Sequence, residues 1–559
     1  MTDRHVPAPE SVLESFYLHE QQQPEQVLLV QPLEDDQVVE YSWRQVGDQV
    51  RRMAAWLRGM QLPAGSHVGI LSVNCAHWIM ADLAVWMAGH VSVPLFQGQT
   101  AESLGDVIEH ADLRLLFLGP TRSWASVRDG IPSQLSLIGL PGAPEEPSLL
   151  GWDTVMASCE PLKESPRPDP ESLASILYTS GTTGTPKGVM LSFSAMAFSA
   201  LNAIRLLGVD QHDRAFCHMP LAHVAERQST EICMLMAGGS LYFCRGRTFF
   251  RRGIRRAKPT VLMTVPHVLE RMRQGVEEQV PQHLLGLLLR MPWYGALLAR
   301  RIRRELGFDS LRYLVCGGGV VPERLLDWYR RIGILTSEVY GMTENCGYSH
   351  LGRPRKPRKG RIGLPNPGVE CRLDSEGQLL VRSKANMLGY YKDDSTTAEA
   401  LDAEGFLHTG DLADIDNEGF LRLAGRLSER FKTSKGHFVL PADIEVRLRE
   451  HPQVAQACVL GEGLPQPLAL LQLARESEGD RSAKLESSLR ELLATVNAQL
   501  GRHQRLACLI VIVDDWQALP GFITPTRKLR RHRVEATYRD MLPLWAVSGR
   551  EVVWQQPSE

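Results

Sequence analysis

A loop rich in glycine and hydroxyl side chains, framed by two apolar stretches, constrains this chain more than any other segment. From Ile176 to Val189 the sequence is Ile-Leu-Tyr-Thr-Ser-Gly-Thr-Thr-Gly-Thr-Pro-Lys-Gly-Val. Glycine permits backbone angles that other residues avoid, so N–H groups around Gly181 and Gly184 can turn inward and surround an anion. Hydroxyl groups add hydrogen-bond donors, and Lys187 adds a mobile positive charge. The loop is therefore predicted to bind a polyphosphate.

Two other interpretations of this loop are a Walker P-loop and a flexible linker. A Walker loop needs Gly directly before its Lys and Ser or Thr directly after it. Here Pro186 precedes Lys187 and Gly188 follows it, so the match fails. A flexible linker is not normally framed by apolar strands, so the polyphosphate loop is the favoured interpretation.

The loop resembles, almost letter for letter, the signature of the adenylate-forming superfamily, which contains acyl-CoA synthetases, luciferases and peptide-synthetase adenylation domains. The resemblance implies that Lys187 and the loop hold the β- and γ-phosphates of ATP, with Thr179 also beside Mg²⁺. The ATP-binding residues implied in this segment are Thr179, Ser180, Gly181, Thr182, Thr183, Gly184 and Lys187.

A second motif, Glu338–Asn345, contains the family's Tyr-Gly-x-Thr-Glu pattern at the end of a predicted strand. By resemblance, Tyr340 stacks on adenine and Gly341 belongs to the same nucleotide site. The resemblance also implies that Thr343 touches the α-phosphate and that Glu344 binds Mg²⁺. Mg²⁺ prefers a hard carboxylate together with phosphate oxygens, which suits this role.

Three consecutive glycines follow the predicted strand Leu311 to Cys316. Bare backbone at this point would let a flat ring approach closely. In the family the equivalent glycines line the adenine, so the resemblance assigns Gly318 and Gly319 to the ATP site.

The pattern Pro-Leu-Ala-His-x-x-Glu-Arg resembles the long-chain acyl-CoA synthetase branch of the superfamily. It contains His223, which by resemblance borders the acyl pocket and is grouped with the catalytic residues. The alternative for a single histidine is a hydrogen-bonded core residue, and only the neighbouring motif favours the pocket.

The remaining site residues lie in the C-terminal third. His-Thr-Gly-Asp411 resembles the family's ribose-binding aspartate, with a turn aspartate as the alternative, and Arg426 would reach ribose or phosphate. Ser428 occupies the family's hinge position, which is often Asp or Lys. By resemblance, Gly436 lets the pantetheine arm of coenzyme A pass, and Lys528, in Thr-Pro-Thr-Arg-Lys, is the catalytic lysine.

The length of 559 residues predicts at least two domains. Alternating strands and helices in the first half predict an α/β fold. We expect a large N-terminal domain, residues 1–427, of parallel-sheet α/β layers plus a small β subdomain. A smaller, mobile α+β domain, residues 428–559, would follow and carry the catalytic lysine. A formal net charge of -2 argues against a dedicated nucleic-acid binder.

Targeting signals are not evident, because Met1 to Glu20 lacks an apolar core and no uncharged apolar run is long enough to span a bilayer. The sequence therefore predicts a cytoplasmic protein. Leu284 to Leu298 would be either a helical hairpin packed on the core or an amphipathic patch on the inner face of a membrane. The basic stretch Arg245 to Lys258 has three interpretations: a solvated face, a seat for coenzyme A phosphates, or contact with anionic lipid. A homodimer is also left open.

These motifs, in family order, predict an AMP-forming acid–thiol ligase that uses ATP, Mg²⁺ and coenzyme A. Its expected substrate is a medium- to long-chain fatty acid, converted to acyl-AMP and then to acyl-CoA. The alternatives are a fatty acyl-AMP ligase that loads an acyl carrier protein and a synthetase for a non-fatty carboxylic acid. A luciferase-like oxygenase and a catalytically dead binding module are disfavoured, the latter because Lys187, Glu344 and Lys528 are all present.

Overall fold

The computed structural model describes residues 9–34, 37–122, 124–180, 186–279, 282–353, 358–474, 481–519, 521–523 and 529–556. Within these ranges, the side chains of residues 180, 247, 282 and 283 are not described. The chain forms two compact units. Unit 1 comprises Met1–Cys371 and Val381–His408, and unit 2 comprises Arg372–Leu380 and Thr409–Glu559.

The helices in chain order are α1 (Val12–Gln22), α2 (Trp43–Gly59), α3 (Ala76–Met87), α4 (Ala101–His110), α5 (Trp124–Val127), α6 (Trp152–Ser158), α7 (Phe193–Leu207), α8 (Val224–Glu226), α9 (Cys233–Ala237), α10 (Phe250–Ala257), α11 (Pro266–Glu277), α12 (Gln282–Leu288), α13 (Tyr294–Leu306), α14 (Glu323–Arg331), α15 (Asp394–Ala400), α16 (Pro441–Leu448), α17 (Ala483–Ala498), α18 (Arg531–Tyr538) and α19 (Leu542–Ala546). None of these described helices is long and apolar enough to cross a bilayer.

The strands in chain order are β1 (Val27–Pro32), β2 (Val38–Ser42), β3 (His67–Leu71), β4 (Val91–Pro94), β5 (Leu115–Leu118), β6 (Ser136–Gly139), β7 (Leu149–Gly151), β8 (Leu173–Ser180), β9 (Pro186–Ser192), β10 (Arg214–Cys217), β11 (Ser240–Phe243), β12 (Val261–Thr264), β13 (Tyr313–Cys316), β14 (Thr336–Tyr340), β15 (His350–Leu351), β16 (Leu364–Pro365), β17 (Glu370–Leu373), β18 (Gln378–Arg382), β19 (Gly389–Tyr390), β20 (Leu407–Ile415), β21 (Leu421–Arg426), β22 (Phe431–Lys432), β23 (Phe438–Val439), β24 (Val454–Leu460), β25 (Leu468–Leu473), β26 (Leu509–Ile512) and β27 (Val552–Trp554).

Unit 1 contains two large sheets. One has eight strands in the order β19-β9-β8-β4-β3-β5-β6-β7, and the other has nine in the order β16-β15-β14-β13-β12-β10-β11-β1-β2. The central strands of both sheets run parallel, whereas β8, β9 and β19 pair antiparallel at the edge of the first. Parallel strands need crossover connections, which the intervening helices supply.

The main core of unit 1 combines residues of both sheets with α2, α3, α7 and α9. All twelve residues of α3 are buried, because apolar and small side chains cover its whole circumference. Helix α7 begins directly after β9, and the Ser192 hydroxyl caps it by accepting a hydrogen bond from the Ala195 N–H at 3.2 Å. Ser192 is therefore the N-cap residue of α7.

Unit 2 contains a four-stranded sheet in the order β24-β25-β26-β27 and the hairpin of β22 and β23. Strands β24 and β25 coincide with the predicted strands, while α17 is slightly shorter than the predicted helix from Ser482 to Leu500. The α/β fold class is confirmed, and the functional boundary at residue 428 stays a prediction.

Candidate active site

The predicted polyphosphate loop connects two antiparallel strands at an edge of the eight-stranded sheet. In this hairpin Thr179 lies opposite Lys187, and Tyr178 lies opposite Gly188. Residues directly opposite each other project from the same face of a sheet, so the Thr179 hydroxyl and the Lys187 side chain share one face. A Cβ atom at Gly188 would lie only 2.8 Å from Ile176 Cγ2. The packing beside the lysine therefore requires glycine.

Strand β19 joins the other side of β9 and places a tyrosine next to Lys187. Tyr390 pairs with Val189, and its ring is only 8% exposed. The Lys187 ammonium lies 5.3 Å from the centre of the Tyr390 ring, within the range of a cation–π contact. The phenolic O–H of Tyr390 donates a hydrogen bond to Glu344 Oε1 at 2.8 Å. One side chain therefore contacts both the predicted phosphate-binding lysine and the predicted metal-binding carboxylate.

Glu344 lies in a single 3₁₀ turn, Thr343–Asn345, that follows β14. The turn is held by the Met342 N–H, which donates to Asn345 Oδ1 at 2.9 Å, and by the Met387 N–H, which donates to the Glu344 carbonyl at 2.8 Å. A Cβ atom at Gly341 would lie 2.3 Å from the carbonyl carbon of Gly347, so glycine is required where the chain enters this turn.

Glu344 retains one oxygen that is not used inside the protein. Among the described residues, its Oε2 accepts no hydrogen bond, whereas its Oε1 accepts the one from Tyr390. The side chain is 9% exposed, so it is largely desolvated and yet reachable. An ionised carboxylate in this state attracts a cation strongly, because little water competes for it.

The glycines after β13 lie next to β14. A Cβ atom at Gly317 would lie 2.5 Å from Val339 Cγ1, and Gly318 has a φ of 76°, which favours glycine. Tyr340, at the end of β14, is 8% exposed, with its ring 6.2 Å from that of His350. The glycines follow the end of β13 and Tyr340 ends the neighbouring parallel strand β14, so both lie where ligands of α/β sheets commonly bind.

Two residues before Tyr340, the carboxyl group of Glu338 is also perturbed. Burial, with an added repulsion from Glu323, raises the pKa of Glu338 to about 7. This carboxyl group is therefore partly protonated near neutral pH, when it can donate a hydrogen bond as well as accept one. The sequence motif contained this residue, but its pKa depends on the burial that only folding creates.

His223 caps α8. Its Nδ1 accepts a hydrogen bond from the Ala225 N–H at 3.1 Å, so the neutral ring carries its proton on Nε2. The ring lies edge-on to Phe96, with the two ring centres 6.3 Å apart. The capping contact is therefore established, and the place of His223 beside an acyl pocket stays a prediction.

An apolar cluster lies where the parallel strands of the nine-stranded sheet end. It consists of Met219, Met263, Val315 and Leu351, with Val265 and Leu207 packed against it. Met219 is in the same loop as His223, immediately after β10. Polarizable methionine side chains adapt to flexible apolar partners, so this cluster is a suitable lining for an alkyl chain.

In unit 2, Asp411 and Arg426 face each other across strands β20 and β21. Arg426 Nε lies 2.9 Å from Asp411 Oδ1, and Arg426 Nη1 donates to the Thr409 carbonyl at 2.9 Å. Asp411 is 7% exposed. The arginine pairs with this buried carboxylate and orients it, as an acceptor of hydroxyl hydrogen bonds would need.

The other predicted positions in the described part of unit 2, Ser428 and Gly436, are exposed. Ser428 lies in the 3₁₀ turn Leu427–Glu429, and Gly436 lies in a tight turn with a φ of 82°. Nothing lies within 4 Å of a Cβ atom built at Gly436, so open space surrounds its backbone. Gly181, Thr182, Thr183, Gly184 and Lys528 lie outside the described residues, and Ser180 is described only by its backbone.

Mg²⁺ fits the donors that unit 1 offers. Within the described ranges, no group of three or more His, Cys, Asp or Glu side chains could hold a metal ion by itself. Mg²⁺ commonly binds through one or two carboxylates and completes its shell with water and substrate phosphates. The Glu344 carboxylate and the Thr179 hydroxyl at the end of β8 are oxygen donors of the kind that such a shared site needs.

Tyr390 is the residue that sequence reasoning missed. It lies in the tetrapeptide Gly-Tyr-Tyr-Lys, which has no spacing that points to nucleotide chemistry. Its contacts with Lys187 and Glu344 arise only because β19 pairs with β9. Such a long-range pairing has no local sequence signal.

Comparison with known protein families gives two matches. The family described as AMP-binding enzyme matches residues 16–391, and its AMP-binding enzyme C-terminal domain matches residues 429–543. A putative fatty-acid–CoA ligase, fadD11, from Mycobacterium tuberculosis (strain CDC 1551 / Oshkosh) is 30% identical over 414 residues, which cover 66% of this chain and 72% of that protein. The long-chain-fatty-acid–CoA ligase FadD15 of Mycobacterium bovis is 28% identical over 592 residues, covering 95% and 97% of the two chains.

Solved structures share the fold. The anthranilate CoA ligase AuaEII in complex with anthranoyl-AMP superposes with a TM-score of 0.79 at 21% identity, covering 97% of this chain and all of that one. The o-succinylbenzoate CoA synthetase MenE of Bacillus subtilis, in complex with its acyl-adenylate, gives 0.74 at 24% identity, covering 93% and 97%. At these identities the likeness establishes the architecture alone.

Proposed function

This chain belongs to the AMP-binding enzyme family, and we propose that it activates a medium- to long-chain fatty acid as acyl-AMP and transfers the acyl group to coenzyme A. At the coarser level it is an AMP-forming acid–thiol ligase that uses ATP, Mg²⁺ and coenzyme A. The observation that carries the proposal is the contact of Tyr390 with both Lys187 and Glu344, since it joins a phosphate-binding cation to a metal-binding carboxylate.

In the first half-reaction, an oxygen of the fatty carboxylate attacks the α-phosphorus of ATP, and the bond to pyrophosphate breaks. Negative charge grows on the phosphate oxygens, so catalysis depends on positioning and on positive charge. Lys187 and the loop would hold the β- and γ-phosphates, Thr343 would contact the α-phosphate, and Lys528 would bridge it to the carboxylate. Mg²⁺, held by Glu344 and Thr179, would neutralise part of the phosphate charge when bound.

Different residues would hold the adenine and the ribose. Tyr340, Gly341 and the glycines Gly318 and Gly319 would enclose the adenine, and Asp411 would accept hydrogen bonds from the ribose hydroxyls with Arg426 beside it. In the second half-reaction, the thiolate of coenzyme A attacks the acyl carbonyl and AMP leaves. We propose that residues 428–559 rotate about Ser428 between these steps, and that Gly436 then borders the pantetheine arm.

The fatty-acid part of the proposal rests on the relatives and on the apolar cluster. Relatives named long-chain-fatty-acid–CoA ligase cover nearly the whole chain. The cluster of Met219, Met263, Val315 and Leu351 offers apolar surface beside His223. Each buried methylene contributes about 0.8 kcal/mol, so four extra carbons would change binding by roughly 3 kcal/mol. A lining of this kind therefore favours longer acids.

The test is pyrophosphate and AMP release from ATP and Mg²⁺ with saturated acids from four to about eighteen carbons, with and without coenzyme A. Anthranilate and o-succinylbenzoate serve as non-fatty acids of the kind that the structural neighbours bind. Lys528→Ala should fail to adenylate and yet convert preformed acyl-AMP to thioester. Lys392→Ala, at an exposed lysine paired with Asp112, is the matched control and should leave both steps unchanged.

Each outcome has a defined meaning. Turnover that needs both a fatty acid and coenzyme A, and that rises with chain length, supports the proposal. Release that stops after one turnover even with coenzyme A present points to a carrier protein as the acceptor. Turnover only with the aromatic acids, or no acid-dependent pyrophosphate at any length, overturns the fatty-acid assignment.

A further inference from the structure

The hairpin of α12 and α13 exposes large apolar side chains to solvent. Trp293 is 89% exposed, Leu297 67% and Leu287 62%. These are among the most exposed large apolar residues in the described part of the chain, and they come from one short segment. Three others in the same segment are also exposed, namely Leu284, Met291 and Tyr294. A contiguous exposed apolar segment of this kind marks an interaction site more often than chance.

The opposite side of this hairpin is already packed. Leu285, Ala299 and Ile302 lie in the second core of unit 1, together with Ile254 of α10. The hairpin is therefore apolar on its packed side and also on its outer side. A helix that is apolar all round is normally buried in a core or in a membrane. The outer side of this hairpin is exposed to water among the described residues, so it is suited to bind an apolar partner.

Arginine surrounds this outer side. Residues 282–304 contain five arginines and no aspartate or glutamate, although the whole chain has a net charge of -2. Arg290, Arg300, Arg301 and Arg304 are exposed, whereas Arg303 donates to the Ile332 carbonyl. The positive charge is thus a local property of the hairpin and not a reflection of composition.

Helix α10 packs against α13 and continues the same pattern. It contains four arginines and no acidic residue. On its other side lies an open groove whose walls combine apolar and basic side chains. The groove is lined by residues that include Val30, Leu33, Val38, Phe249, Arg252 and Arg256. Exposed apolar groups mixed with arginine therefore occur on both sides of α10.

We propose that α10 and the α12–α13 hairpin form a surface that binds an anionic lipid bilayer. Interfacial segments place Trp, Leu and Met at the boundary between head groups and acyl chains, with cationic side chains at the head groups. Arginine lies favourably in an anionic leaflet. A second copy of this chain fits less well, because a two-fold interface would bring the same exposed arginines together. The acidic residue of α13, Glu305, is already paired with Arg255 of α10. This inference does not depend on the identity of the acyl substrate.

The test is sedimentation of the full chain with vesicles of phosphatidylcholine alone or mixed with phosphatidylglycerol. Binding should require phosphatidylglycerol and weaken as salt rises, because salt screens the arginines. The triple variant L287Q/W293Q/L297Q should lower the partition coefficient at least about tenfold. The triple variant R300Q/R301Q/R304Q should lower it about a hundredfold at low salt.

Matched controls separate the surface from general effects. L544Q/V547Q removes two apolar side chains of similar exposure, 68% and 81%, in unit 2. R44Q/R382Q/R490Q removes three exposed arginines outside the surface. Both controls should bind vesicles as the unchanged chain does. All variants should keep the same circular dichroism and the same adenylation rate with a short water-soluble acid.

Three results would overturn the proposal. The first is sedimentation of the unchanged chain equally with neutral and anionic vesicles, or with neither. The second is binding of the surface variants as tightly as the controls. The third is a dimer in analytical ultracentrifugation that only L287Q/W293Q/L297Q dissociates, which would assign the surface to a second copy of the chain.

Discussion

Unit 1 buries acidic side chains in two places, which differ in whether the carboxylate can still be reached from solvent. At the active site, Glu344 has one oxygen bonded to Tyr390 and one that remains reachable. In the core, Asp82 and Glu231 are fully buried around Arg227, which is itself 1% exposed. The first site keeps a carboxylate available, whereas the second encloses its charges completely.

The enclosed cluster is stabilised by an ion pair. Arg227 Nη2 donates to both oxygens of Asp82 at 2.9 and 2.8 Å, and its guanidinium also contacts the rings of Trp78 and Trp86. Burial, together with the nearby Asp82 charge, raises the pKa of Glu231 well above its usual value. Burial therefore favours the protonated form of Glu231.

The two sites differ because their surroundings differ, not because their residue types do. An enclosed charge is costly unless it is paired, so the cluster contributes to folding only while all its members are present. A carboxylate with an open oxygen can instead bind a cation from outside. Changes in the cluster should therefore affect stability, and changes at the site should affect activity.

The largest expected effect is on folding, from Arg227→Met. The change leaves Asp82 as a buried, unpaired charge, which costs about 3–5 kcal/mol of unfolding free energy. Urea unfolding monitored by fluorescence measures it. The double variant D82N/R227M, which removes both charges, should recover much of this loss. Equal losses in the single and the double variant would show that packing, and not the unpaired charge, dominates.

The next effect is on activity, from Glu344→Gln. Loss of the carboxylate charge should lower fatty-acid adenylation about a hundred- to a thousandfold, or roughly 3–4 kcal/mol of barrier. The unfolding free energy should change by less than about 1 kcal/mol, because Gln can still accept the Tyr390 hydrogen bond. A stability loss as large as that of Arg227→Met would erase the contrast between the two sites.

A smaller effect is expected from Tyr390→Phe, because Glu344 would lose its hydrogen bond while keeping its charge. A hydrogen bond to a charged group contributes about 1.5–3 kcal/mol, so kcat/KM should fall about ten- to a hundredfold, with a higher Mg²⁺ requirement. Tyr391→Phe is the matched control, since the Tyr391 hydroxyl donates to Asp112 at 2.8 Å instead. Similar losses in both variants would argue against a positioning role for Tyr390.

The smallest effect is a pH dependence within the enclosed region, at Glu226. Burial raises the pKa of Glu226 to about 8, from a usual value of 4.5. A raised folded pKa stabilises the protonated folded state, and this stability is lost as the pH rises toward 8. The neighbouring His218 titrates lower, because burial lowers its pKa to about 4 from 6.5. Between pH 6.5 and 8 the unfolded chain loses its remaining protonation of His218, which opposes the Glu226 effect by less than about 0.5 kcal/mol.

Between pH 6.5 and 8, Glu226 should therefore lower the unfolding free energy by about 1–2 kcal/mol in total. Urea unfolding at several pH values measures this decline. Glu226→Gln mimics the protonated side chain, so the variant should lose this part of the slope and remain close to the unchanged chain at pH 6.5. Parallel slopes in the two proteins would mean that Glu226 titrates normally.

Much of the fold and part of the site were predictable from sequence. Strands such as β24 and β25 consist of short apolar runs, and α2 has a clear helical period, so local patterns indicated them. The outer helices α12 and α13 were predicted only as one of two alternatives, since a segment that is apolar on both faces gives no period that tells packing from exposure.

The sequence by itself determined the chemistry of the segments that we propose to bind the nucleotide. The glycine- and hydroxyl-rich loop, the turn with Glu344 and the pair of Asp411 and Arg426 each depend on residues that are close together or follow a recognisable motif. The backbone conformations that these segments need depend on neighbouring residues, such as glycines, and can therefore be predicted from the local sequence.

Only the tertiary structure decided which distant residues complete these segments. Tyr390 contacts Lys187 and Glu344 because β19 pairs with β9, a strand about two hundred residues earlier in the sequence. The raised pKa values of Glu226, Glu231 and Glu338 arise from burial. Burial depends on the packing of many residues and cannot be read from the residue type at one position. Pairing and desolvation are properties of the packed whole, and for this reason they could not be predicted from local patterns.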